Sequence, residues 1–137
     1  MQNGLYGYLL PVLPGKGKGS LFLHLRLRFR YGLSPYVLSS FIPPADRLFI
    51  EKQKLFRLPK QPSEDAQVLL LGTLHRIALE NRSSLLCLIP VDEKMKEFAA
   101  DNRHLLEEHY VLVLPEENES PFKALKRYLK THFPEVR

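Results

Sequence analysis

Tryptophan is absent from this 137-residue chain, cysteine occurs once and methionine only twice. A single thiol excludes an internal disulfide. Cys87 lies in the apolar run Leu85-Leu86-Cys87-Leu88-Ile89, where a buried thiol is the natural reading and a nucleophile is not. No apolar run reaches the roughly 18 residues that a membrane-spanning helix needs. The first residues, Met1 to Pro11, lack the basic segment and small-residue cleavage site of a signal peptide, and Pro11 interrupts their short apolar run. A cytoplasmic location is therefore the expectation. Internal repeats and low-complexity stretches are also lacking, and Gln61-Pro62 is too short for a linker. One domain over residues 1–137 is expected.

What is present is ordinary globular material, 45% hydrophobic and 26% charged, with an uneven distribution of charge. Residues 1–60 hold ten Lys/Arg against two Asp/Glu, a net of +8. Residues 61–120 hold five against twelve, a net of −7, and residues 121–137 hold five against one, a net of +4. A basic first half invites an acidic partner. The acidic middle offers one within the same molecule or in a second copy.

The most informative stretch is Leu23-His24-Leu25-Arg26-Leu27-Arg28-Phe29-Arg30-Tyr31. Its alternation predicts a β-strand with Leu25, Leu27 and Phe29 in the core and a ladder of Arg26, Arg28 and Arg30 on the other face. Guanidinium forks suit phosphates and carboxylates. Residues 5–13 predict a preceding strand, so Gly15-Lys16-Gly17-Lys18-Gly19-Ser20 reads as the tip of a β-hairpin. Lys16 and Lys18 would be exposed there. A phosphate loop needs a lysine before the serine and a helix after it. Here Gly19 precedes Ser20, and a strand is expected to follow. Tyr36–Ile42 predicts a further strand, with 47–50 and 54–58 forming a second hairpin or one bent strand.

Beyond Pro62 the periodicity changes from two to 3.6. Ser63 opens a helix to about residue 80, with Val68, Leu71, Leu74, Ile77 and Ala78 as its apolar stripe. Leu85–Val91 is a buried strand. Asp92 caps a helix through residue 108 with Met95, Phe98, Leu105 and Leu106 inward, and Tyr110–Leu114 is a second buried strand. Pro121 starts a last helix burying Phe122, Leu125, Leu129 and Phe133. The two strands, separated by a helix, predict a parallel pair. The resulting expectation is an α+β fold: a mixed sheet with an N-terminal antiparallel meander, a C-terminal α-β-α-β-α unit with a parallel pair, and three helices.

Asp101, His104 and Glu108 share one face of the predicted 92–108 helix, but it is the face opposite Phe98 and reads as surface. His109, five residues from His104, points elsewhere and completes no i, i+4 ligand pair, and His75 and His132 have no evident chemistry beside them. No catalytic residue, metal ligand or cofactor is assigned. The expected function is a non-catalytic binding or accessory module that contacts an anionic partner through Lys16, Lys18, Arg26, Arg28 and Arg30. Nucleic acid is the leading candidate partner and an acidic protein another. The alternatives are an interaction or regulatory subunit that forms a homo-oligomer through its charge blocks and, behind it, a small enzyme. The basic amphipathic last helix is a further candidate surface for nucleic acid, an acidic groove or an anionic membrane.

Overall fold

The computed structural model describes residues 9–15, 23, 25–40, 52–59 and 64–132. Ser63, Phe133 and the 47–50 run lie outside the described residues. Five strands, β1 (Leu9–Pro14), β2 (Tyr36–Ser39), β3 (Leu55–Arg57), β4 (Leu85–Leu88) and β5 (Val111–Leu112), form one sheet in the order β3-β2-β1-β4-β5. Every pairing is parallel, including the predicted β4–β5 pair. The architecture is therefore α/β, and the expected antiparallel meander and mixed sheet are wrong.

The error lies in residues 23–31. Leu23, Leu25 and Arg26 are helical and run into a wide π-helical turn, α1 (Leu27–Tyr31). From Leu21 to Tyr31 there is no β-branched residue, and Leu and Arg are good helix formers. The alternating pattern also satisfies helical spacing, because Leu23 and Leu27 lie four apart and both are buried. Gly32 ends the helix at φ +69°, a left-handed conformation natural to glycine, and its N–H donates to the Arg28 carbonyl at 2.9 Å. The predicted hairpin is therefore overturned, since its second strand is a helix. Lys16 and Lys18 lie outside the described residues.

β1 is central despite Pro11 and Pro14. Val12 and Pro14 direct their carbonyls to β4, accepting from Ile89 and Val91 at 2.9 and 3.0 Å. Alternation turns Pro11 toward β2, whose ladder starts one residue later at Val12↔Tyr36, so its missing N–H falls outside the ladder.

The chain steps one way from β1 to β2 and β3, then returns past β1 to β4 and β5. Right-handed crossovers in opposite directions place their helices on opposite faces. α1 accordingly packs with α5 (Pro121–His132) on one face, through Leu23, Leu27, Ala124, Leu125 and Leu129 against Leu9, Leu13, Cys87, Ile89 and Val113. On the other face, α2 (Glu64–Glu80), α3 (Glu93–Asp101) and the single turn α4 (Arg103–Leu106) cover Val12, Leu38, Leu86 and Leu88.

Asp92 caps α3 as predicted, its Oδ1 accepting from the Met95 N–H at 2.8 Å. The expected single helix through residue 108 breaks at Asn102, whose side-chain amide donates to the Phe98 carbonyl at 2.9 Å. The stripe of α2 is turned from the expected one. Leu70, Thr73, Leu74, Ile77 and Ala78 are buried, whereas Val68 is 67% exposed. The Tyr110 hydroxyl ties this layer to the sheet by donating to the Leu74 carbonyl at 2.6 Å.

Candidate functional site

The sheet separates two helical layers of opposite charge. α1 with its entry residue carries Arg26, Arg28 and Arg30, and α5 carries Lys123, Lys126, Arg127 and Lys130, without an Asp or Glu in either stretch. Across the sheet stand Glu64, Asp65 and Glu80 of α2, Glu93, Glu97 and Asp101 of α3, and Glu107 and Glu108 after α4, with fewer cations among them. The predicted arginine ladder is therefore a helical cluster, joined by the last helix into one cationic face.

Aromatic rings hold the two basic helices together. The Arg26 guanidinium carbon lies 5.1 Å from the Phe122 ring centroid, and Phe122 lies 6.0 Å from Tyr31. Arg30 covers the Tyr31 ring at 5.9 Å. Both contacts position a guanidinium while leaving its donors outward. Arg26, Arg28 and Arg30 are all exposed, and neither Arg26 nor Arg30 pairs with a carboxylate among the described residues. Lys123 and Lys130 are exposed and Lys126 is half-buried.

Arg127 differs, since Glu119 accepts from its Nη2 at 2.8 Å and its Nε at 2.9 Å. That fork, followed by a hydrogen bond from the Glu116 N–H, brings the Glu119 carboxyl down to about 2. Glu119 thus removes Arg127 from the cations available to a ligand.

The C-terminal end of β1 meets that of β4 where the strand order reverses, the place at which open α/β sheets receive ligands. Gly15 has φ +124°, and a Cβ there would sit 2.9 Å from Asp92 Oδ2 and Val91 Cγ2. That φ strains any residue with a side chain, and a Cβ would also force the Asp92 and Val91 side chains to shift. The segment bearing Lys16 and Lys18 follows Gly15 in sequence, outside the described residues. A helix does follow it, but Gly19 still precedes Ser20, so the phosphate-loop pattern remains incomplete.

Other candidates resolve individually. Cys87 is fully buried in β4, and burial pushes its thiol up to about 12, which keeps it protonated at neutral pH. The break at Asn102 separates Asp101 from His104 and Glu108, and all three are exposed. His75, expected to have nothing beside it, meets His109 edge-on with centroids 5.5 Å apart. Among the described residues no three His, Cys, Asp or Glu side chains gather as a metal site, and no helix is long and apolar enough to cross a membrane.

Sequence reasoning found Arg26, Arg28 and Arg30 and noticed the basic last helix separately. It missed their adjacency, because a strand cannot share a helical layer with α5. No protein-family model matches the chain, and neither a curated protein nor a solved structure does.

Proposed function

We propose that this chain is a non-catalytic binding module that takes a nucleic acid on the face formed by α1 and α5. The observation that carries the reading is the segregation of charge by the sheet, with the cations of two adjacent helices on one side and most helical carboxylates on the other. Phosphate contacts on such a face supply affinity without base specificity by releasing condensed counterions. Arg26 and Arg30 offer planar forks, and Lys123 and Lys130 add mobile point charges at the edge.

The test is fluorescence anisotropy with a labelled oligonucleotide at low and moderate salt. Binding is expected to weaken steeply with salt, and Arg30→Ala to reduce the magnitude of the log–log slope by roughly 0.7–0.9. Lys94→Ala, on the opposite layer, should leave the slope unchanged. Absence of binding by micromolar wild type at low salt would overturn the reading.

A further inference from the structure

Phe29 is 79% exposed on α1, between Arg28 and Arg30, and joins neither core cluster of the described residues. A large apolar ring so placed among cations is an anchor of the kind that interfaces bury. The opposite layer holds a matching recess. Between α2 and α4 lies an apolar groove of about 400 Å³, lined by Val68, Leu71, Gly72, His75, Leu105 and Glu108 among others. Val68 and Leu105 are 67% and 58% exposed, which is unusual for two neighbouring aliphatic residues of one groove.

Gly72 is the second clue. A glycine inside a 17-residue helix weakens it, yet nothing lies within 4 Å of where a Cβ would stand, and its φ is not positive. Among the described residues the fold gives no reason for the glycine. A missing methyl at the lip of an apolar groove does have one if another molecule approaches there.

Charge selects the occupant. Glu108 lines the groove, and Glu64 and Asp65 precede Val68 by four and three residues, on its side of α2. Two such acidic rims repel each other, so the groove does not fit its own copy. A ring flanked by arginines fits both the apolar floor and the acidic rim. We infer that the groove between α2 and α4 receives Phe29 of a second copy of this chain, with the arginines of that copy against Glu64, Asp65 and Glu108. Knob and groove lie on opposite faces of the sheet, so the contact is head-to-tail and adds copies one after another, into open chains or larger rings, not a closed two-fold dimer.

This inference does not rest on nucleic-acid binding, which stands on the charges of α1 and α5 and makes no use of Phe29. It is tested on the full chain, freed of nucleic acid, by sedimentation velocity over a wide concentration range at low salt. The wild type should show a weight-average mass that rises continuously with concentration and falls when salt is added. Phe29→Ser and Val68→Lys each change an exposed side chain, and each variant alone should associate about thirtyfold more weakly or worse, as loss of an interface anchor implies. An equimolar mixture of the two retains one intact knob and one intact groove, so it should form a dimer and stop there. Phe29→Ser should keep its oligonucleotide affinity. A wild type that stays monomeric throughout, variants that assemble as the wild type does, or a mixture without a dimer would each overturn the head-to-tail contact.

Discussion

Leu27 and Phe29 sit two residues apart, and a β-strand would place them together. The helix separates them, with Leu27 fully buried between the sheet and α5 and Phe29 projecting into solvent. Leu27→Ala should therefore cost on the order of 2–5 kcal/mol, because the transfer loss is compounded by a cavity. Phe29→Ala should stay within about 0.5 kcal/mol of the wild type, as surface changes do. Urea melts of the two variants check this directly. Equal losses for both would mean that the segment is extended after all.

Among the elements, the second half of the chain was the legible part. Asp92 announced α3 through its capping position, and Pro121 announced α5 through its place at the first helical residue. The parallel β4–β5 pair followed from two apolar strands with a helix between them. The first half was not legible, because Leu23 to Tyr31 fits two periods at once and only packing chooses between them. Leu23 and Leu27 found a shared partner in α5, more than ninety residues away, which no local pattern announces. The cationic face was half legible for the same reason. Its residue types were evident, whereas the neighbouring of α1 and α5 depends on the sheet order. α2 offers a test at this scale. Gly72→Ala should raise stability by up to about 1 kcal/mol, since a helical position with open space gains propensity and meets no obstacle. A thermal melt with no gain, or a loss, would show that Gly72 answers to a contact inside the molecule.

At the scale of the whole molecule, Cys87 reports on cooperativity. It lies in β4 with no exposed surface, and its neighbours come from both ends of the chain. A thiol reagent should reach it only when the sheet opens, so labelling should slow with the free energy of global unfolding and accelerate with urea in step with the melt. Fast labelling in native buffer would mean that α1 or α5 lifts away independently. The strand order has a consequence for how the chain is made. β1 is translated more than seventy residues before one of its neighbours, β4, with which it pairs from Leu9↔Leu85 to Val12↔Leu88. Until that partner is synthesised, one edge of β1 remains unpaired, and α3, α4 and α5 do not yet exist. The sheet cannot close around β1 while β4 is missing, and the delay leaves Leu9 to Pro14 open to chaperones or to other chains.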